Sequence, residues 1–233
     1  MDGNGRWAQE RHHPRIFGHK AGVDSVREAV ETSRELGIEY LTLYAFSTEN
    51  WKRPSLEVTG LMQLLKTYLK SELDNMLTND ISLHCIGQIE RLPREVRTTL
   101  ETTIEKTACC RSMHLNLALS YGGRSELIAG IQRIAQKCVS GELSWEDIHE
   151  DTISDHLYTR GQAEPDLLIR TGGEHRLSNF LLWQSSYTEL YFTEIKWPDF
   201  RKKQLLLAIE EFNSRQRRYG QTGAQVTRAE NGT

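Results

Sequence analysis

Apolar residues recur at helical spacing from Ala21 to Leu36, with Val23, Val26, Ala29 and Val30 on one side and Gly37 following as a stop. The next stretch, IEYLTLYAF at 38–46, is apolar nearly throughout, which predicts a strand buried on both faces. Helical spacing returns from Leu56 to Leu77, where Leu61, Leu64, Leu65, Tyr68 and Leu69 share a side. Strands are expected over 81–87 and 113–121, with a helix from Pro93 to Thr107 between them. Ser125 to Val139 reads as a helix, and two short helices are expected between Ser144 and Tyr158. DLLIRTGG at 166–173 reads as a strand running into a glycine loop, and ELYF at 189–192 as a short strand. Asp199 is expected to cap a last helix that turns Leu205, Ile209 and Phe212 inward. All five prolines then fall in connections. Strands alternating with helices predict an α/β fold, a single domain whose central, mostly parallel sheet is covered by helices.

Size and charge narrow the function. A chain of 233 residues, 38% of them hydrophobic, has enough apolar material for one large core. The net charge of -3 provides no global basic field for nucleic acid, so any anion must be bound by a local cluster. Cys85, Cys109, Cys110 and Cys138 form no CxxC pair and no cysteine–histidine ligand spacing, and nothing resembles a signal peptide. A reduced, cytoplasmic protein is the expectation. No apolar run reaches the roughly 18 residues of a membrane span, which leaves only peripheral contact with a bilayer. The tail at 221–233, QTGAQVTRAENGT, reads as disordered.

In parallel sheets, ligands bind beyond the carboxyl ends of the strands, and three unusual stretches fall there: DGNGRW at the start, STENWKRP after Phe46, and TGGEHRLSN after Arg170. In the first, Gly3 and Gly5 permit positive φ and Asn4 tolerates it, so backbone amides can form an anion nest, with Arg6 and Arg15 adding fixed charge. Asp2 would repel phosphate unless a divalent cation bridged the two, and Mg²⁺ is commonly held by one or two carboxylates plus substrate phosphates. A plain glycine turn with solvated charges is the alternative. In the second stretch Ser47, Asn50 and Arg53 are polar candidates, while Trp51 reads either as a flat pocket wall or as a core anchor. The third repeats the theme with Arg170, Arg176 and Ser178; its His175 reads as structural as readily as functional. Together the loops suggest a site for two phosphorylated groups with Mg²⁺, without naming molecules or reaction.

MDGNGRW, HKAG at 19–22, LYAFSTENWKRP at 43–54, YGGR at 121–124 and the run from Asp166 to Phe200 resemble the cis-prenyltransferase family, in its bacterial undecaprenyl diphosphate synthase branch. The resemblance extends from Met1 to about Gly220, and it implies an apolar tunnel within the α/β fold. It implies an enzyme that condenses isopentenyl diphosphate onto an allylic diphosphate, usually farnesyl diphosphate, with each new double bond cis. The product would be a polyprenyl diphosphate carrier for cell-wall sugars. By resemblance Asp2 coordinates Mg²⁺, and Gly3, Asn4, Gly5, Arg6 and Arg15 hold the allylic diphosphate in a pocket lined by Trp7 and His19. Arg170, Arg176, Leu177 and Ser178 would hold isopentenyl diphosphate. Glu189 would be a further Mg²⁺ ligand supplied through a homodimer, and His175 matches a position near the metal. Asn50 with Asp2 fits a proton-accepting arrangement, although a neutral amide is a poor base; Ser47, Thr48, Glu49, Trp51 and Arg53 would shape the pocket. The helix from Leu56 and the strand from Met113 would wall the tunnel, with Met113 near its floor. Arg218 and Gly220 match an element that reaches a partner's site.

The family also places a strand directly before DGNGR, so the resemblance implies a strand upstream of Met1 and a central slot in the sheet empty or otherwise filled. The chain has no Asp-Asp pair and hence no DDxxD motif of trans-prenyltransferases. Two competing readings are a non-catalytic partner subunit of the same family and a generic phosphate- or nucleic-acid-binding module. The first usually lacks the DGNGR and arginine residues kept here; the second fits poorly with the acidic net charge.

Overall fold

The computed structural model describes residues 1–216, so the expected tail at 221–233 and the positions of Arg218 and Gly220 lie outside the described residues. Its helices are α1 (Asn4–Gln9), α2 (Arg15–Glu35), α3 (Ser55–Thr78), α4 (Arg94–Thr107), α5 (Gly123–Ser140), α6 (Glu150–Ser154) and α7 (Lys202–Ser214). The strands are β1 (Tyr40–Ser47), β2 (Ile81–Ile86), β3 (Met113–Tyr121), β4 (Leu167–Arg170) and β5 (Glu189–Phe192). Pro14, Pro54 and Pro93 each sit directly before a helix, where a missing amide costs nothing and the fixed φ suits the entry.

β3 lies between β1 and β2, parallel to both, with Leu43 opposite Leu117 and Leu83 opposite Leu115. The central position explains the β3 sequence: apart from His114 every residue of the strand is buried, the condition under which a strand reads as a continuous apolar run. Leu83, Leu115, Leu117 and Leu119 pack on Met62 and Leu69 of α3 and on Val96 and Leu100 of α4. β4 and β5 form a second parallel pair. The expected central sheet is thus parallel throughout but divided, and no backbone hydrogen bond joins β1 to β4.

Two local expectations change. The DGNGRW stretch is not a loop, because α1 begins at Asn4. Asp199 lies in a 3₁₀ turn, and the residue before α7 is Arg201, whose guanidinium and following amide bond to Glu28 of α2. α7 is therefore anchored to α2 rather than capped by its own aspartate. A half-buried ion pair ties α2 to α3: Arg27 donates to the buried Glu72 carboxylate at 2.6 Å, and Asn75 donates to the same carboxylate. No helix among the described residues is long and apolar enough to cross a membrane.

Candidate active site

The site is built where β1, β4 and α1 end or begin side by side. Gly3 at φ 94 turns the chain into α1, and a Cβ there would lie 2.9 Å from Lys196 Cβ. Gly5 is helical, so its lack of a side chain serves a different end from the expected nest. A Cβ on Gly5 would fall 2.5 Å from Arg15 Cζ, so the glycine is what lets the Arg15 guanidinium lie against α1.

Asp2 is held from three directions. Its amide donates to Thr171 Oγ1 at 2.9 Å, and its carbonyl accepts from the same hydroxyl and from the Trp197 amide, each at 2.9 Å. Its carboxylate accepts from Arg170 at 3.0 Å and from the Gly3 amide at 2.6 Å, with Arg6 3.6 Å away. Burial works against ionisation, but the hydrogen bonds from Arg170 and Gly3 and the charges of Arg170 and Arg6 hold the carboxyl below the usual range. The Asp2 side chain remains 41% exposed. Among the described residues no three His, Cys, Asp or Glu side chains converge as a metal cage. One fixed, exposed carboxylate suits an ion that takes one or two carboxylates and completes its shell with substrate oxygens and water.

Arg170, the last residue of β4, also donates to Ser178 Oγ at 2.7 Å and to the Arg176 carbonyl, which fixes the loop that follows the strand. Glu174 pairs with Arg176 at 2.5 Å and with Arg6 at 3.6 Å. On the other side of α1, Arg15 and Arg53 share Glu57 of α3 at 3.3 and 3.1 Å. His19 lies among them with its Nε2 buried and without a hydrogen bond. Burial first, then the neighbouring Arg53, lowers its pKa to about 4, so the imidazole is neutral at neutral pH. The indole N–H of Trp7 is likewise buried without a partner.

The loop after β1 is shaped by its own side chains: Asn50 Oδ1 accepts the Ser47 amide at 3.2 Å while the Ser47 side chain accepts the Asn50 amide. Trp51 proves to be a core anchor. Its ring meets Phe46 edge-on at 4.9 Å and its N–H donates to Ser120 Oγ at 2.9 Å.

Asp2, His19, Ser47, Asn50, Arg53 and Arg170 stand at one end of a cavity of about 1320 Å³, which Asn4, Glu49, Arg176, Leu177 and Ser178 also line. Its depth is apolar. Val23 and Val26 of α2, Leu61 and Leu65 of α3 and Leu43 of β1 wall it, and it continues past the edges of β1 and β4 to Phe200 and Leu205. The structure thus brings together all three expected loops. Met113 is not part of the cavity; it is wholly buried in the core at the start of β3. Within the chain Glu189 is not brought to Asp2. It begins β5 opposite Leu167, whereas Arg170 and Asp2 lie at the far end of the pair, and its carboxylate accepts from Arg215 at 2.9 Å. His175 is exposed and stacks on Phe192 with ring centres 5.1 Å apart. Sequence reasoning missed Thr171, which holds Asp2, and Glu57, which aligns two arginines. Thr171 lay inside the glycine loop, but nothing marks Glu57 among other helical glutamates.

Comparison with known proteins agrees with this geometry. The family model described as "Putative undecaprenyl diphosphate synthase" matches residues 1–220. The isoprenyl transferase of Porphyromonas gingivalis is 51% identical over 99% of this chain and 91% of its own length, and that of Geobacter sulfurreducens is 49% identical over 97% and 92%. Lavandulyl diphosphate synthase from Lavandula x intermedia, solved in complex with dimethylallyl diphosphate, superposes with a TM-score of 0.93 at 36% identity, covering 95% of both chains. A "probable undecaprenyl diphosphate synthase" from Campylobacter jejuni gives 0.76 at 37%, covering 86% of this chain and 92% of that one. With the match running through every loop of the site and through the fold that carries them, the chain belongs to the cis-prenyltransferase family of the undecaprenyl diphosphate synthases, enzymes that condense isoprenoid units.

Proposed function

We propose that this enzyme extends farnesyl diphosphate with successive isopentenyl diphosphate units to a long cis-polyprenyl diphosphate such as undecaprenyl diphosphate, the lipid carrier of cell-wall synthesis. The observation that carries the reading is the joining of two environments in one cavity. A mouth with Asp2, Arg53 and Arg170 opens directly into an apolar depth, about 1320 Å³ in all. Such a cavity suits an amphiphile with a charged head and a hydrocarbon chain that lengthens inward.

In this reading Arg6, Arg15 and Arg53 take the allylic diphosphate, and Arg170, Arg176 and Ser178 take the diphosphate of isopentenyl diphosphate. Asp2 would hold Mg²⁺, which supplies charge neutralisation for the departing diphosphate. The arginines would act in the same sense, their donors meeting oxygens on which charge grows as the allylic C–O bond breaks; Arg53, Arg170 and Arg176 line the cavity, whereas Arg6 and Arg15 would have to turn from Glu174 and Glu57. The isopentenyl double bond forms the new C–C bond to the allylic carbon as that C–O bond breaks, and a proton leaves C2 of the isopentenyl unit. Asn50 is a poor acceptor for this proton, being a neutral amide whose oxygen already accepts the Ser47 amide. A diphosphate oxygen at the mouth is the better base. Neutral His19 adds no competing charge beside the arginines. A homodimer, with Glu189 and Arg218 serving at the subunit boundary, and a cytoplasmic enzyme meeting the membrane through its lipid product complete the proposal.

The test is incubation with farnesyl diphosphate, labelled isopentenyl diphosphate and MgCl₂, followed by sizing of the extracted products. A ladder of long cis-polyprenyl chains is expected. Products that stop after one condensation would replace the long-chain reading with a short-chain one, and absence of any labelled product would overturn it.

A further inference from the structure

Asn179 closes the third of the three unusual stretches and lines the cavity without being one of its candidate residues, and it is the point at which the supports of the site meet. It sits directly after Ser178, and both residues are in the left-handed region, at φ 63 and 51. That region is one asparagine tolerates better than most side chains. Its carbonyl accepts the Gly123 amide at 2.7 Å and its Oδ1 accepts the Arg124 amide at 2.8 Å, which pins the loop to the start of α5. Its Nδ2 donates to Glu49 Oε1 at 3.0 Å, in the turn that follows β1. Gly122 makes the junction possible: a Cβ there would lie 2.7 Å from both Asn179 Nδ2 and Thr48 Oγ1. A single side chain thus touches the support of both halves of the site.

We infer that Asn179 is a positioning residue that locks the loop of Arg176 and Ser178 to the turn of Glu49 and Asn50, and so sets the spacing of the two diphosphate subsites. The inference rests on the function proposed above. Arg170 holds the same loop from its other side through Ser178 and Arg176, so the loop lies between two anchors, of which Asn179 is the one that reaches across to the turn after β1. The Glu49 carboxyl reports the contact. Burial alone would raise its pKa, but the hydrogen bond from Asn179, the first of those that oppose it, helps hold it below the usual range.

The inference is tested on the full chain with Asn179→Ala, Asn179→Asp, Gly122→Ala and the double variant Glu49→Gln/Asn179→Asp, which swaps donor and acceptor. Each single variant is expected to raise KM for isopentenyl diphosphate by about tenfold, the scale of one or two lost hydrogen bonds, more than it lowers kcat. The double variant should recover most of the loss of Asn179→Asp, which a residue acting only through packing would not show. Amide exchange without substrate supplies a separate readout: protection at 47–52 and at 176–181 should fall together in Asn179→Ala. If exchange responds in both segments while the wild-type chain makes no polyprenyl product, the junction stands and the proposed function falls. Unchanged exchange at 47–52, unchanged KM in the single variants, or a double variant no better than Asn179→Asp would overturn the inference.

Discussion

Asp2 and Arg170, 168 positions apart, meet at 3.0 Å, so the first carboxylate of the chain is oriented by the last residue of β4. The pair is only partly buried, and partly exposed ion pairs contribute at most about 1 kcal/mol to stability. Its value lies in aiming charge. Asp2→Ala is therefore expected to lower turnover by about 10²–10³-fold, the cost of removing one well-placed electrostatic group, with a change in stability of under about 1 kcal/mol. Asp2→Asn separates the causes: it keeps an acceptor for Arg170 but loses the charge that a cation requires. Steady-state turnover with added Mg²⁺ and thermal melting decide the matter, and full activity in Asp2→Asn would remove the metal role from Asp2.

Gly5 sets two effects against each other. Alanine is favoured over glycine inside a helix by roughly 0.5–1 kcal/mol, so Gly5→Ala is expected to leave stability unchanged or slightly raised. The new methyl, however, occupies the space of the Arg15 guanidinium, which must move off α1. KM for the allylic diphosphate should rise severalfold while the melting temperature holds. A variant with normal KM would show that Arg15 reaches its ligand from elsewhere.

Much of this architecture was legible because β1 and β3 are near-continuous apolar runs and α2 and α3 repeat apolar residues at helical spacing, although only β3 is buried on both faces; in β1 only Leu43 and Phe46 are buried. The division of the sheet leaves no mark on the periodicity of four-residue strands; only the family resemblance, with a central slot empty or otherwise filled, pointed to a gap between β1 and β4. α1 was missed because Asn4–Gln9 carries no apolar stripe and begins between two glycines; tertiary contacts with α2, not propensity, hold it helical. The charged loops stood out by their glycines and arginines. Glu57 did not, and Asn179 fell inside such a loop without its role being visible, because each acts by aligning other groups and neither residue type is unusual where it stands.

Arg27 and Glu72 offer a test of packing away from the site. The Glu72 side chain is 6% exposed, and burial alone would raise its pKa; the hydrogen bonds from Arg27 and Asn75 reverse this and keep it ionised. Arg27→Ala leaves a buried carboxylate with weaker partners. Losing one partner of a buried pair costs roughly 3–5 kcal/mol, and because the Arg27 side chain is 40% exposed and water can enter, about 2 kcal/mol is expected. Urea unfolding should give that loss at pH 7 with little change in KM. A loss under about 0.5 kcal/mol would mean that Asn75 and the Ser71 hydroxyl, which donates to the same carboxylate at 3.4 Å, suffice for Glu72.

His19 makes stability depend on pH in a defined window. Its folded pKa, about 4, lies below the ordinary 6.5, so between those values the unfolded chain binds more protons than the folded one. Stability contributed by the neutral ring is complete above about pH 6.5 and declines as pH falls toward 4. Half-buried His84, also lowered by burial and by His114, adds to the same decline, so the comparison must isolate His19. His19→Gln should flatten part of the stability profile between pH 6.5 and 4 and leave the fall below pH 4 in place. An unchanged slope would place the His19 ring in water rather than in the pocket.

The depth of the cavity can be read as a ruler along α2. His19, Val23 and Val26 all line it, three to four residues apart and hence on one face of the helix, leading from the charged mouth inward. At 1.5 Å per residue, Val26 lies about 4.5 Å deeper than Val23. A large side chain at either position fills space that a growing chain would otherwise enter, and the open cavity should limit the overpacking penalty to the low end of roughly 1–3 kcal/mol. Val23→Phe should therefore stop elongation at shorter products than Val26→Phe, and both at shorter products than the parent, while the first condensation proceeds at a similar rate. The order carries the argument, since general damage to the fold would lower all rates without grading the lengths. Sizing of labelled products from the two variants checks it, and equal product lengths in all three proteins would mean that the chain grows along another wall.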